Sequence, residues 1–206
     1  MGMSEGAVLV VGGTGDIGAS ICERLADAGH RVVISGRTIE QAEQACEALA
    51  NTARVLHPVK LLIDDGGECR DVVKQIAADH GGLSAVVNCA GVSYIAPVLL
   101  GKDADWERVV RVNTLGAFNI SRAALRPMIR ARFGRIIHVG SISAEVGAPY
   151  NAIYAASKAG VAGMVRSLAL EVAALGITVN AVQPGYVKTK LFAQTQGARA
   201  KIKGVS

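Results

Sequence analysis

Short apolar runs of strand length alternate along this chain with longer stretches in which apolar positions recur every three to four residues. The runs are Ala7–Val11 (AVLVV), 31–35 (RVVIS), 59–63 (VKLLI), 84–88 (SAVVN), 135–139 (RIIHV) and Ile177–Val182 (ITVNAV). Between them the pattern predicts helices near 17–28, 39–50, 68–79, 103–132 and 153–174. Strands that alternate with helices pair in parallel through right-handed crossovers, which place helices on both faces of the sheet. The prediction is a doubly wound α/β fold of Rossmann-like form, a single domain over residues 1–206 that holds binding and catalytic residues together. Gly29, Gly81, Gly82, Gly134 and Gly176 follow the helical stretches, where a residue able to adopt φ > 0 ends a helix at little cost.

The first run leads into Gly12-Gly13-Thr14-Gly15-Asp16-Ile17-Gly18 and then a helix. In that context backbone N–H groups and a helix N-terminus can cradle a pyrophosphate, although an ordinary turn of small residues has the same look. About twenty residues on, where an NAD-binding fold carries an acid for the ribose 2′-hydroxyl, the chain reads Ser35-Gly36-Arg37. Gly36 is expected to leave room for a 2′-phosphate and Arg37 to bind it, so NADP(H) is favoured over NAD(H); the alternative is a solvated surface arginine. Further along, Tyr154 and Lys158 stand four residues apart at the start of a helix, on one face. A cation beside a phenol favours the phenolate and suits proton exchange with a substrate oxygen. Ser141 follows the fifth run, at the carboxyl edge where open α/β folds bind ligands.

Together these residues resemble the short-chain dehydrogenase/reductase family, in its single-domain branch that includes 3-oxoacyl-carrier-protein reductases. Asn88-Cys89-Ala90-Gly91 is similar to the family's NNAG motif, and Asn113 matches the asparagine of its catalytic tetrad. Ser141 lies thirteen residues before Tyr154, the family spacing, and Tyr154 with Lys158 matches its Y-x-x-x-K. Asn180 to Gly185 resembles N-x-x-x-P-G, with Pro184, Gly185, Val187 and Thr189 expected near the cofactor. The resemblance implies hydride transfer between a nicotinamide and a ketone or secondary alcohol, 3-oxoacyl thioesters among the candidates. It makes Tyr154 the proton donor or acceptor and Ser141 the residue that orients the oxygen. Lys158 is to lower the Tyr154 pKa and hold the ribose, and Asn113 to anchor a water. Gly12, Thr14, Gly15, Asp16, Ile17, Gly18, Arg37, Asn88, Ala90 and Gly91 become cofactor contacts. Asp64 joins them as the adenine-side acid, chosen over Asp65 because it directly follows the apolar run. A homotetramer or homodimer, a small-molecule or acyl-thioester substrate and no metal are implied as well.

The chain also departs from the family. The branch's TGxxxGxG has Val11 for the threonine and Asp16 for the middle glycine, leaving GxxGxxG over Gly12, Gly15 and Gly18. The tight turn is then expected at Gly15. Asp16 is expected to cap the N–H groups at the start of its own helix and to repel a pyrophosphate. Relatives also continue with a substrate-covering helical segment, a further helix and a seventh strand, whereas this sequence stops at Ser206 before them. A cofactor-binding sensor or scaffold without turnover therefore stands beside the oxidoreductase reading.

Composition narrows the partners. Half of the residues are hydrophobic, enough for a sizeable core, and the net charge is only +5, its nearest approach to a cluster being Lys188, Lys190, Arg199, Lys201 and Lys203. This is read as a solvated charge run. With 4% aromatics there is no stacking platform for nucleic acid, and none is expected as a partner. Cys22, Cys46, Cys69 and Cys89 show no metal or disulfide spacing, which fits a reducing cytoplasm. The opening residues lack a signal-peptide pattern. The uncharged stretch 81–101 is interrupted by four glycines and Pro97, so it reads as strand and loop with no membrane span.

Overall fold

Strand β1 (Ala7–Val11) lies between β2 (Val32–Gly36) and β4 (Leu83–Asn88), and all three are buried at every position. With β3 (Leu56–Lys60), β5 (Gly134–Val139) and β6 (Ile177–Val182) they form a parallel sheet in the order β3-β2-β1-β4-β5-β6. The computed structural model describes residues 6–49 and 56–203. Successive side chains of β1 point to opposite faces. Leu9 and Val11 join one core with α3 (Gly66–Asp79), α5 (Gly116–Ala131) and α6 (Ala152–Val172). Val8 and Val10 join a smaller one with α1 (Asp16–Asp27) and α2 (Ile39–Leu49). Each fully buried Val or Leu contributes roughly 1.5–3 kcal/mol, which is why strands covered on both faces read as unbroken apolar runs.

Three expectations shift. The third strand is Leu56–Lys60 and not 59–63, because its register runs from Val32↔Leu56 to Gly36↔Lys60. Pro58 is tolerated there since β3 pairs with β2 alone. Leu61 and Ile63 are core residues carried by the loop that follows. The stretch 103–132 is α4 (Asp103–Val110) and α5 joined by one π-helical turn, Arg111–Leu115, a form frequent at functional sites. The residue that ends α5 with positive φ is Arg132 (φ 50°), not Gly134. Gly134 is a glycine for packing, since a Cβ there would stand 2.4 Å from Met128 Sδ. The expected end of α2 at Ala50 lies outside the described residues.

A further helix, α7 (Lys190–Lys203), is not visible in the periodicity and follows the P-G segment, so the expectation that the sequence stops before a covering helical segment does not hold: α7 lies over the cavity of Ser141, Tyr154 and Lys158. Among the described residues no helix is long and apolar enough to cross a membrane. Because every strand is parallel, the loops after β1, β4, β5 and β6 emerge at one edge. The order reverses between β1 and β4, so the glycine loop and residues 88–91 face a common crevice.

Candidate active site

The glycine loop is built around Gly12, whose φ of 73° suits a residue without a side chain and whose Cβ would stand 2.9 Å from Ala90 N. Gly12 O accepts from Gly15 N at 3.1 Å, and Gly12 N donates to Ser35 Oγ at 3.1 Å, tying the loop to β2. Gly15 is extended (φ −86°), so the left-handed residue is Gly12 instead of Gly15. Gly18 lies beneath, where a Cβ would come within 2.3 Å of Gly12 O. Asp16 makes no cap on α1. Its Oδ2 accepts from Lys190 N at 2.7 Å, at the first turn of α7.

A cavity of 740 Å³ opens beside this loop, lined by Gly12, Thr14, Gly15, Arg37, Asp64, Ala90 and Gly91. Arg108 and Arg111 line it as well, and Arg37 is exposed. Asp64 is available because Asp65 is committed: its Oδ1 accepts from Gly67 N (2.7 Å) and Glu68 N (3.0 Å), capping α3 and holding the Asp65 carboxyl below its usual range. Gly36 lines the same cavity, and packing of α2 is a further reason for a glycine there. A Cβ there would meet Thr38 O at 2.9 Å and Ala42 N at 3.0 Å, so α2 requires the glycine. The open loop surface at Gly15, the close backbone approach at Gly12 and three arginines in the lining fit a dinucleotide whose phosphates lie along the crevice.

Asn88 holds the far side of the crevice. Its Oδ1 accepts from Ala90 N at 3.1 Å and its Nδ2 donates to His138 Nδ1 at 3.2 Å. His138 Nε2 therefore carries the proton and donates to Ser121 Oγ at 3.0 Å. Burial, then the Lys158 charge, push the His138 pKa down to about 4, so the ring is neutral. Asn113, in the π-helical turn, accepts from Val92 N (2.8 Å) and donates to Val92 O (2.9 Å) and Ser157 Oγ (3.0 Å). Both its amide hydrogens are spent on clamping the loop after β4 to α6. For a water, the side chain has only an acceptor lone pair left.

A second cavity, 160 Å³, lies under α7 and brings together Ser141, Tyr154 and Lys158 with Ile17, Gly91, Pro184, Gly185, Val187 and Thr189. Gly140 N donates to Val182 O (2.8 Å) and Ile142 N to Pro184 O (3.0 Å), so β6 positions the Ser141 loop. The Tyr154 phenol and the Ser141 hydroxyl face the same cavity, and Ser141 is the side chain that interacts with the phenol. Lys158 Nζ donates to Val139 O at 2.9 Å and stands 5.8 Å from the Tyr154 ring centre. Burial lowers the Lys158 pKa to about 8. The Tyr154 pKa is raised and not lowered, because burial of the phenol outweighs the Ser141 hydrogen bond. The Tyr154 phenol is thus protonated at neutral pH. Gly91 faces both Asn113 Oδ1 and Lys158 Nζ, each 3.4 Å from where a Cβ would be.

Gly18, Asn88 and Asn113 support these walls from behind and do not line them. Other contributors carry no local sequence signal: Ser35 under the glycine loop, Ser157, which donates to Tyr154 O at 2.7 Å, and the α7 residues Leu191, Phe192, Thr195 and Arg199. Thr189 Oγ1 accepts from Phe192 N at 3.0 Å as the cap of α7. Cys89 lines both cavities as a thiol, its pKa pushed up to about 12 by burial. Among the described residues no three His, Cys, Asp or Glu side chains gather as a metal-binding group.

A family model described as short chain dehydrogenase matches residues 6–200. The chain is 37% identical over 183 residues to the 3-oxoacyl-[acyl-carrier-protein] reductase FabG of Haemophilus influenzae, covering 89% of this chain and 74% of that protein. It is 32% identical over 208 residues to the D-beta-hydroxybutyrate dehydrogenase of Rhizobium meliloti, covering 99% and 80%. The structure superposes on an actinorhodin polyketide ketoreductase variant with NADPH, with a TM-score of 0.92, 31% identity, and coverage of 100% of this chain and 80% of that one. It also superposes on NAD+-bound xylitol dehydrogenase, with a TM-score of 0.92, 27% identity, and coverage of 98% and 78%.

Proposed function

This chain belongs to the short chain dehydrogenase family and is an oxidoreductase of CH–OH and C=O groups; from that premise we propose that it is an NADP(H)-dependent ketoreductase with Tyr154 as general acid. The observation that carries the reading is the convergence of the Ser141 hydroxyl, the Tyr154 phenol and the Lys158 ammonium on one cavity at the carboxyl edge. That convergence favours turnover over a role in binding alone.

When bound, the nicotinamide cofactor supplies or accepts a hydride at the substrate's carbonyl carbon. Gly12, Thr14, Gly15, Ile17, Ala90 and Gly91 would hold its phosphates and ribose edges, and Asp64 its adenine side. Arg37 would hold a 2′-phosphate in the cavity that Arg108 and Arg111 also line. Lys158 and Tyr154 would hold the nicotinamide ribose, and Pro184, Gly185, Val187 and Thr189 the nicotinamide side. Tyr154 gives its hydroxyl proton to the carbonyl oxygen as the alcohol forms, and takes it back in the reverse direction. Ser141 donates to the same oxygen and fixes the substrate's orientation. The raised Tyr154 pKa keeps that proton in place at neutral pH, the form that carbonyl reduction needs. Gly18, Asn88, Asn113 and Asp16 act on the site through the backbone they hold. 3-Oxoacyl thioesters and small 3-oxo or 3-hydroxy acids are the substrate classes that the relatives suggest. A homodimer or homotetramer is the expected assembly.

The test is titration of NADPH and NADH by nicotinamide fluorescence, then oxidation of the bound nucleotide by a panel of ketones and 3-oxoacyl thioesters. NADPH is expected to bind about tenfold or more tightly than NADH, and Arg37→Ala to erase that preference. Tyr154→Phe is expected still to bind NADPH, since Lys158 and the glycine loop remain, and to turn over about 10²–10⁴ times more slowly. Equal rates for Tyr154→Phe and the parent would remove the proposed mechanism.

A further inference from the structure

Read from sequence, Arg199 belongs to a solvated basic run. In the fold it does not. It lies on α7, half-buried, and lines the same cavity as Ser141, Tyr154 and Lys158. Its Nε is buried and, among the described residues, has no hydrogen-bond partner. A buried donor left unpaired costs free energy, and a guanidinium presents its donors as a planar fork suited to an oxyanion.

The surroundings point the same way. Leu191, Thr195 and Arg199 recur every four residues on α7, so one helix face covers the cavity. That face is held in place at its start by Asp16 and Thr189 on the Lys190 and Phe192 N–H groups. The lining contains two cations, Lys158 and Arg199, and among the described residues no aspartate or glutamate. Lys158 is committed to Val139 O and the tyrosine side, so Arg199 is the charge that an incoming ligand meets. The cavity lined by Gly12, Thr14, Gly15 and Arg37 is a separate one, which Arg199 does not join.

Resting on the ketoreductase reading, we propose that Arg199 binds an acid group of the substrate. The substrate is then an oxo acid or an oxo phosphate whose carboxylate or phosphate lies a few atoms from the carbonyl. A ketone lacking a nearby acid, including the 3-oxo end of a thioester, leaves the guanidinium unpaired and is the poorer substrate.

The experiment measures kcat and KM with NADPH for two matched pairs, 3-oxobutanoate against its methyl ester and hydroxyacetone phosphate against hydroxyacetone. The parent protein, Arg199→Gln and Arg199→Lys are compared, with isothermal titration of each acid into the NADPH-loaded proteins. The parent is expected to prefer the acid member of one pair by about 10- to 100-fold in kcat/KM, mostly through KM, and the pair that responds tells carboxylate from phosphate. The preference should fall toward one in Arg199→Gln and partly survive in Arg199→Lys, which also guards against loss through misfolding. Turnover with no acid preference in either pair, or a preference unchanged in Arg199→Gln, overturns the assignment and leaves the ketoreductase standing. It is likewise overturned if Arg199→Gln weakens NADPH tenfold while acid selectivity persists. Acid binding that depends on Arg199, with no turnover of any ketone, supports the site and defeats the reductase reading.

Discussion

Asp16 Oδ2 and the main-chain N–H of Lys190 are joined by a 2.7 Å hydrogen bond across 174 residues of sequence. It fastens the end of the glycine loop to the first turn of α7, the helix that covers the cavity of Ser141, Tyr154 and Lys158. With Thr189 capping Phe192 N, two of the four free N–H groups at the α7 start are satisfied. The carboxylate that the family pattern would replace by glycine is thus a fastening between the glycine loop and α7.

Two properties of Asp16 are expected to separate by substitution. Asp16→Asn keeps an acceptor for Lys190 N and removes a negative charge near the phosphate path, so NADPH should bind about two- to fivefold more tightly with ketone KM unchanged. Asp16→Ala also loses the fastening, about 0.5–2 kcal/mol as for other helix caps, and its ketone KM should rise several-fold. Fluorescence titration and steady-state kinetics check both. Identical ketone KM values for the two variants would show that the hydrogen bond does not position α7.

The pH profile of reduction should have its alkaline limb set by Lys158. Its pKa is lowered to about 8 by burial, so the ammonium is lost above that pH, while the Tyr154 phenol, shifted upward, keeps its proton. The kcat/KM for ketone reduction is expected to fall as pH rises through about 8. Lys158→Arg, whose side chain does not titrate in this range, should abolish that limb whatever its absolute rate. A limb at the same pH in Lys158→Arg would assign it to another group.

Stability should fall on mild acidification because of His138. The ring is buried and neutral with a pKa of about 4, against 6.5 when solvated, so between those values the unfolded chain takes up a proton that the native state refuses. Above pH 6.5 the penalty is absent. As pH falls from 6.5 to 4 it grows by up to about 1.4 kcal/mol per unit, to roughly 3 kcal/mol in all. Urea unfolding of the parent and of His138→Leu at pH 7 and pH 5 should show the parent losing about 2 kcal/mol more. His138→Leu should be the less stable at pH 7, since Asn88 and Ser121 lose their partner. Equal pH slopes would exclude His138 as the cause.

The apolar runs and their spacing determined the parallel sheet, because strands buried on both faces must be apolar throughout and parallel neighbours must be joined by crossovers. Motif spacing determined which residues are candidates: Ser141, Tyr154 and Lys158 do share a cavity, and the Gly12 loop does face Ala90 across a crevice. Periodicity could not place β3, since Leu61 and Ile63 are buried by a loop as well as they would be by a strand, and strand register is a property of the pair. Nor could it assign partners between distant segments. Asp16 meets Lys190, Arg199 turns from a surface charge into a cavity wall, and the Tyr154 phenol shifts up when helix neighbours alone suggested down. Each of these depends on what burial brings near a charged or polar group. Local spacing records the chain's own neighbours, while desolvation and long-range hydrogen bonds exist only once the chain has closed on itself.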